Sequence, residues 1–268
     1  MQQEEAVENK PDRARSASDT SKPPSQVPDS LRRRDRAPLV RAHPLKRVFS
    51  FSSFWEWLPV INDTLFRERA LVYKVLSLAL FTPSDWEAQG ELRNLAPSLS
   101  DLSAIPLDKS AVEYFVRSWE KAWVEAQDAL RVEYTRLFVN DYPELKCPPF
   151  ETYWATGQRA IYGSGYESLL QLYRAAGLDR APGVGLPLEH VALELELMHF
   201  LILSSLSSPR FLCLQEKLFT EHVSKWALPY SLCLEENALL DAYKATARLL
   251  RELARVEEEF FAEHTFCG

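Results

Sequence analysis

The sequence predicts an all-α protein, and three observations support this prediction. Only 8 of the 268 residues are Gly, and Gly weakens a helix interior by about 1 kcal/mol relative to Ala. Long stretches consist of Leu, Ala, Glu and Arg, which are strong helix formers. Apolar residues recur at intervals of three and four, and no run alternates as a half-buried β-strand does. With 46% hydrophobic residues, the chain can bury one good-sized core.

The first 50 residues differ in composition from the rest. They contain six Pro, many Ser and charged residues, and few large apolar side chains. Such a segment cannot bury enough surface to offset the entropy lost on ordering. We therefore expect a disordered tail at 1–50 and one helical domain at 51–266.

Capping residues and apolar spacing divide the domain into helices, with Pro and Gly near most boundaries. The helix that begins near Pro187 is apolar on almost every side, so we expect it to be central. We expect a turn at Trp226 and Pro229. The predicted helices are 62–81, 85–95, 110–139 with one break at most, 151–162, 166–176, 187–206, 208–224 and 235–263.

Residues 177–187 contain three Gly and two Pro. This composition predicts a hinge between two helical lobes of one globular domain, at about 51–176 and 188–264. A hinge of this kind is compatible with a monomer or with a domain-swapped dimer.

The charge distribution excludes one class of partner. Residues 1–50 hold 11 basic and 7 acidic residues, whereas the remainder holds 20 basic and 31 acidic residues. A domain with this excess of acidic residues is a poor match for nucleic-acid phosphate. It suits a basic peptide, although most of these charges also serve solubility.

Cysteine usage and targeting signals predict a cytoplasmic protein. The four cysteines show no C-x-x-C spacing, so we expect single, buried, apolar residues in a reducing compartment. Arg32, Arg33 and Arg34 are followed by further charges and not by the uninterrupted apolar stretch of a secretion signal. We expect neither a signal nor a membrane span.

A first group of candidate residues combines a helix face with a proline-rich segment. Tyr134, Leu137 and Phe138 stand at i, i+3 and i+4, and Pro148 and Pro149 precede three aromatic residues. The prolines direct Phe150, Tyr153 and Trp154 back towards the helix face. Aromatic side chains beside irregular backbone favour a groove for an apolar peptide. The alternative is that all of them belong to the core.

A second group joins the predicted hinge to the central helix. Pro187 is followed by Glu189, placed in the first turn where a helix N-terminus favours a carboxylate. His190 and Glu194 stand at i and i+4 and can pair across one turn. A carboxylate at the rim of a groove can receive a guanidinium group through two hydrogen bonds. The alternative is a helix cap with an ion pair on a helix face.

Together, the two groups resemble the TorD/DmsD/NarJ superfamily of redox-enzyme maturation chaperones. The pattern is Tyr134-x-x-Leu137-Phe138, then Pro149-x-Glu151-x-x-Trp154, then Pro187-x-Glu189-His190 with Glu194-Leu195. The resemblance covers about residues 62–262. Two positions depart from the family pattern, since Glu189 replaces the usual Asp and Tyr134 stands where Trp is frequent.

The resemblance implies an all-helical cytoplasmic chaperone that is not an enzyme and needs no cofactor. Such a protein binds the twin-arginine signal peptide of a molybdopterin oxidoreductase, and also the enzyme body, until the cofactor has been inserted before export. The alternative within the superfamily is a nitrate-reductase-type (NarJ-like) chaperone for a cytoplasm-facing molybdoenzyme. The residues implicated in signal-peptide binding are Tyr134, Leu137, Phe138, Pro149, Trp154, Pro187, Glu189 and His190.

These observations divide peptide recognition between apolar and acidic side chains. Phe150, Trp154 and the Tyr134 face are expected to cover the apolar stretch of the signal peptide. Glu189 and Glu194 are expected to face its arginines. His190 is expected either to orient Glu189 or to bond the peptide backbone, and to make binding pH-sensitive between about pH 5 and 8.

A metal-dependent enzyme is the distant alternative. Glu196-Leu-Met-His199 has the E-x-x-H spacing of di-iron helical bundles, but a second copy is absent from the sequence. The sequence also contains neither a phosphate-binding G-x-x-x-x-G-K-[ST] nor a hydrolase G-x-S-x-G.

Overall fold

The computed structural model describes residues 62–178 and 185–267. The predicted tail at 1–50, the start of the domain at 51 and most of the predicted hinge lie outside these residues. In chain order the helices are α1 (Asp63–Ala79), α2 (Trp86–Leu95), α3 (Lys109–Glu125), α4 (Gln127–Tyr134), α5 (Glu151–Thr156), α6 (Tyr166–Ala175), α7 (Val191–Ser205), α8 (Arg210–Leu218), α9 (Ser224–Asn237) and α10 (Asp241–Glu263). The all-α prediction is confirmed.

Helices α1 and α7 pack along each other at the centre of the structure. Asn62 caps α1 by accepting hydrogen bonds from the amides of Thr64 and Leu65 at 3.0 and 3.3 Å. At the other end of α1, the Ser77 hydroxyl donates to the carbonyl of Ala192 at 2.8 Å. The start of α7 is thereby fixed against α1, and the predicted central position of this helix is confirmed.

The described residues share one hydrophobic core. Trp119 of α3, Tyr230 of α9 and Tyr243 of α10 are fully buried, as is Leu195 of α7. Residues of both predicted lobes therefore contribute to the same core. The hinge itself stays a prediction.

A buried ion pair joins α1 to α10. Arg69 and Glu257 are 1% and 0% exposed, and two guanidinium nitrogens donate to the two carboxylate oxygens at 2.6 and 2.7 Å. The Tyr73 hydroxyl donates to the same carboxylate at 3.0 Å. The guanidinium also lies 4.1 Å from the centre of the Phe260 ring. All these contacts together compensate for removing two charges from water.

Several predicted helix boundaries are wrong. The helix expected at 151–162 ends at Thr156, because Gly157 adopts the left-handed conformation of a helix cap (φ 71°). The helix expected from Pro187 begins at Val191, with His190 as its cap. The predicted 110–139 helix, by contrast, has the one break that was expected, at Ala126, and finishes in a π-helical turn at 135–139.

The turn predicted at Trp226 and Pro229 is also wrong. A second π-helical turn at 219–223 leads directly into α9, which continues through Pro229 to Asn237. Pro removes one helical hydrogen bond. Trp226 and Tyr230 on either side are fully buried, and their packing compensates for the lost bond. The last helix accordingly begins at Asp241 and not at residue 235.

All four cysteines are paired, contrary to the expectation of single residues. Cys147 bonds Cys233, and we call this pair the loop disulfide. Cys213 bonds Cys267, and we call this pair the terminal disulfide. The partners are 86 and 54 residues apart, so sequence spacing could not have identified them.

No helix within the described residues is both long enough and apolar enough to span a bilayer.

We expect Arg69→Ala to lower the free energy of unfolding by about 3–5 kcal/mol, because it leaves the carboxylate of Glu257 buried without its cation. Urea denaturation measures this change. The control is Arg67→Ala, which breaks the exposed Arg67–Asp63 pair of the same helix and should leave the unfolding midpoint nearly unchanged. Equal effects of the two substitutions would contradict the prediction.

Candidate functional site

A short antiparallel bridge brings the two groups of candidate residues together. Phe150 and His190 face each other across it. The amide of Glu151 donates to the carbonyl of Glu189, and the amide of Val191 donates to that of Pro149, both at 3.0 Å. The aromatic segment and the start of α7 are therefore neighbours, as the proposed joint action of the two groups requires.

Glu189 does not lie at the rim of a groove. Its side chain is 1% exposed and accepts hydrogen bonds from the amide and the hydroxyl of Thr152 and from the amide of Tyr162. The expectation of a rim carboxylate is thus wrong for this residue, because internal donors already satisfy it. Its observed role is to hold the segment before α6 against α5.

Tyr162 and Gly163 depend on this arrangement. Tyr162 has a left-handed backbone (φ 65°), which is rare for an aromatic residue and is maintained here by the hydrogen bond to Glu189. A Cβ atom at Gly163 would lie 2.5 Å from the Thr152 methyl group. Gly is therefore required where the segment approaches α5.

His190 is buried and acts as the cap of α7. Its Nδ1 accepts a hydrogen bond from the amide of Ala192 at 3.2 Å, and its ring meets the edge of Phe150 with centroids 5.6 Å apart. Burial lowers the pKa of His190 to about 4. The side chain is therefore neutral between pH 5 and 8, and the expected pH-sensitive step cannot come from it.

Glu194 belongs to a buried polar network and does not pair with His190. It accepts a hydrogen bond from the indole nitrogen of Trp226 at 2.7 Å. Burial raises the pKa of Glu194, and the neighbouring Glu151 raises it further. Glu151 in turn lies 2.9 Å from Nδ1 of His222, and Oε1 of Glu194 is buried without a hydrogen-bond partner among the described residues.

The predicted helix face belongs to the core. Tyr134, Leu137 and Phe138 are 8%, 0% and 4% exposed, and burial raises the pKa of Tyr134 to about 12. Phe138 lies near Tyr230 with ring centres 6.3 Å apart, and Tyr230 meets Trp154 at 5.7 Å. A row of rings thus connects the core to the half-buried Trp154. The alternative that these three residues are core is the better description of the structure.

An apolar pocket opens beside this row. Its volume is about 380 Å³, which is within the usual range for ligand sites. The indole nitrogen of Trp154 donates to the carbonyl of Pro148 at 2.7 Å and so fixes one wall. The lining residues are Leu145, Pro148, Phe150, Tyr153, Arg159, Ala160 and Ile161.

Sequence reasoning identified Phe150 and Tyr153 but missed Leu145, Arg159 and Ile161. The missed residues lie in segments that were assigned to an irregular loop or to a helix. The signal that could have found them is the concentration of Pro in 143–149 together with the three polar or small residues that end α5 at Thr156, Gly157 and Gln158.

Two carboxylates precede the pocket residues Leu145 and Pro148 in the chain, and each is paired with a basic residue. Glu144 pairs with the pocket residue Arg159, and both side chains are more than half exposed. Asp141 lies 3.8 Å from the Lys146 amine. An exposed pair such as Glu144–Arg159 contributes little to stability. Glu144 is accessible to a ligand cation, Asp141 is only partly exposed, and Glu189 is buried.

The E-x-x-H motif has other partners. Glu196 accepts a hydrogen bond from Lys74 at 2.9 Å, and Nδ1 of His199 lies 2.8 Å from the carbonyl of Ala70. Within residues 62–178 and 185–267, no group of three or more His, Cys, Asp or Glu side chains is arranged to hold a metal ion.

Comparison with known proteins identifies the family. The model of the family "Nitrate reductase delta subunit" matches residues 92–229, which is just over half of the chain. The chain belongs to this family. It is accordingly a member of the TorD/NarJ superfamily of redox-enzyme maturation chaperones, and the predicted family is confirmed.

Among solved structures, one described as a candidate redox enzyme maturation protein from Archaeoglobus fulgidus is similar to this chain. The two are 24% identical, and the match covers 70% of this chain and 93% of the other with a TM-score of 0.47. No curated protein matches the chain. The family assignment therefore rests on the family match alone.

We expect the raised pKa of Glu194 to make stability pH-dependent. The pKa of Glu194 in the folded protein lies above the unfolded value of about 4.3. The stability that the neutral side chain contributes is therefore fully present below that pH and is lost as the pH rises towards the folded pKa. Glu194→Gln keeps the shape of the side chain and cannot ionise. The free energy of unfolding of this variant, measured in urea, should therefore increase relative to that of the wild type as the pH rises from 4.5 to 8.

Glu221→Gln is the matched control, because Glu221 is exposed. Its pH profile should run parallel to that of the wild type. A parallel profile for Glu194→Gln as well would show that Glu194 is ionised in the folded protein.

Proposed function

We propose that this chaperone binds the twin-arginine signal peptide of a molybdopterin-containing oxidoreductase in its apolar pocket. It acts in the cytoplasm, where the peptide is available before export, and retains the enzyme while the cofactor is inserted. The observation that supports this proposal best is the pocket itself, in which an apolar interior adjoins the exposed carboxylate of Glu144. That combination matches a peptide with arginines next to an apolar stretch.

The apolar stretch of the signal peptide would contact Phe150, Tyr153 and Ile161. Each large apolar side chain that the peptide buries there contributes roughly 1.5–3 kcal/mol before the entropy lost on binding is subtracted. Trp154 supports the wall through its hydrogen bond to Pro148. Pro187 is partly exposed, and its carbonyl accepts the amide of His190, the residue that faces Phe150 across the bridge.

The arginines would contact Glu144 and Asp141. An incoming guanidinium can replace Arg159 at Glu144, because the existing pair is exposed and therefore weak. Glu189, His190, Glu194 and Pro149 then act as positioning residues: they hold the bridge, the start of α7 and the segment around Tyr162. Tyr134, Leu137 and Phe138 support the pocket from the core.

A nitrate-reductase-type function is the second candidate. The description of the matching family favours it. Such a chaperone would bind the body of a cytoplasm-facing molybdoenzyme and would not depend on an export signal. Purification of the tagged full chain from its own cells distinguishes the two, since it recovers the enzyme either with or without a twin-arginine signal. The same preparation shows whether the chaperone is a monomer or a domain-swapped dimer.

We expect Phe150→Ala and Tyr153→Ala each to weaken binding of a synthetic twin-arginine peptide by about tenfold, because each removes an apolar wall of the pocket. Isothermal titration calorimetry measures the affinity, and circular dichroism verifies folding. Trp86→Ala is the control, because Trp86 is 79% exposed in a different pocket next to Trp123. Loss of affinity in this control, or none in both pocket variants, would contradict the assignment.

Substitutions at the Glu144–Arg159 pair should have opposite effects. Glu144→Gln should weaken peptide binding by roughly two- to fivefold and reduce its salt dependence, because a rim charge is lost. Arg159→Gln should strengthen binding, because it removes the competitor for Glu144. Unchanged binding by Glu144→Gln would show that Glu144 is not the acceptor of the peptide arginine, and weaker binding by Arg159→Gln would show that Arg159 does not compete for it. A peptide with Gln in place of both arginines should respond to neither substitution.

A further inference from the structure

The loop disulfide is located at one wall of the apolar pocket. Cys147 follows Leu145 by two residues and directly precedes Pro148, and both of these residues line the pocket. Its partner Cys233 belongs to α9, the helix that also carries Tyr230 beneath Trp154. The bond therefore joins the wall segment 140–149 to the helix on which the aromatic row rests.

At the end of this wall segment, Pro148 accepts a hydrogen bond from the indole nitrogen of Trp154 and Pro149 accepts one from the amide of Val191, but few other contacts hold residues 140–147. The wall segment contains three prolines, which donate no backbone hydrogen bond. The amide of Asn140 donates to Thr135 at 2.8 Å, and that of Cys147 donates to Leu137 at 3.0 Å. The ion pairs of Asp141 and Glu144 are at the surface. A covalent bond to α9 is therefore a strong constraint on the position of the wall.

We propose that Cys147–Cys233 is a thiol–disulfide exchange site that regulates peptide binding in the apolar pocket. The regulatory part rests on the function proposed above. A protein that acts in the cytoplasm meets a pool of reducing thiols, and a disulfide that persists there is usually catalytic or redox-sensing. The oxidised chaperone holds the wall in place, and the reduced chaperone releases it.

Exposure determines which sulfur reacts first. Cys147 is 0% exposed, whereas Cys233 is partly exposed. A glutathione thiolate attacks Sγ of Cys233, the disulfide breaks, and Cys147 leaves as a thiolate that takes up a proton. A second glutathione then attacks the glutathione sulfur of the mixed disulfide and releases Cys233. Two glutathiones become one glutathione disulfide, and the protein gains two electrons and two protons.

The surroundings of Cys233 accommodate the reduced state. Its sulfur lies 3.2 Å from the carbonyl of Lys146, which can accept a hydrogen bond from the thiol. The side-chain amide of Asn237 lies 3.6 Å from the same sulfur and can donate to a thiolate. Both protonation states of the released cysteine therefore have a hydrogen-bond partner.

Reduction should weaken peptide binding. In the oxidised protein the wall is already in place, so a peptide binds to a preorganised pocket. After reduction the same residues have to be ordered during binding, and this lowers the affinity. The terminal disulfide is the matched control, because neither Cys213 nor Cys267 adjoins a residue of the apolar pocket.

The experiment uses the full chain in buffers of defined glutathione to glutathione-disulfide ratio. Alkylation with mass spectrometry reports the state of each cysteine pair, and calorimetry measures the affinity for the synthetic twin-arginine peptide. We expect oxidised wild type to bind roughly tenfold more tightly than reduced wild type. The loop variant, Cys147→Ser with Cys233→Ser, should bind like the reduced protein at every ratio. The terminal variant, Cys213→Ser with Cys267→Ser, should retain the redox dependence.

A readout without peptide separates this proposal from the proposed function. Tryptic cleavage after Lys146 should be faster in reduced wild type and in the loop variant than in oxidised wild type. If the peptide does not bind but cleavage follows the redox state, the function fails and the exchange site stands. Resistance of the loop disulfide to cytoplasmic glutathione ratios, equal cleavage in both states, or redox-dependent binding in the loop variant would overturn the proposal.

Discussion

The site depends on one buried carboxylate. Glu189 accepts hydrogen bonds from Thr152 at the start of α5 and from Tyr162 before α6, while its carbonyl accepts the amide of Glu151. Three separate stretches of chain meet at this residue. Without it, the left-handed Tyr162 would lose its partner and the backbone donors of α5 would be buried without an acceptor. An acidic residue here therefore organises the pocket and does not have to touch a ligand.

This arrangement explains a difficulty in interpreting the family pattern. A carboxylate next to a helix start suggests recognition of a cation, and the sequence gives no means of telling a rim residue from an internal one. Burial depends on the segment 157–165, which approaches Thr152 closely enough to require Gly163. Since the contact is between residues far apart in the chain, spacing alone could not show it.

Most of the fold followed from local rules. The start of α1 at Asn62 and the central α7 were predictable from a capping residue and from an apolar helix surface. Failures occurred where packing outweighed local preference, as at Pro229 within α9, or where a single backbone conformation ended a helix, as at Gly157. The pairing of the cysteines was unpredictable for the same reason as the burial of Glu189. The two candidate groups are neighbours, as their joint use requires, whereas most of the side chains that were expected to be accessible are buried.

The pair formed by Arg159 and Glu144 has a consequence for selectivity. A ligand arginine that reaches Glu144 replaces one guanidinium with another, so the number of charge contacts stays the same. The net gain must then come mainly from apolar side chains that enter the pocket. Without Arg159, this surface would discriminate poorly against cationic segments that have no apolar residues next to them. For the proposed peptide ligand, competition from Arg159 would therefore disfavour basic chains that have no apolar stretch and would speed the release of a bound peptide.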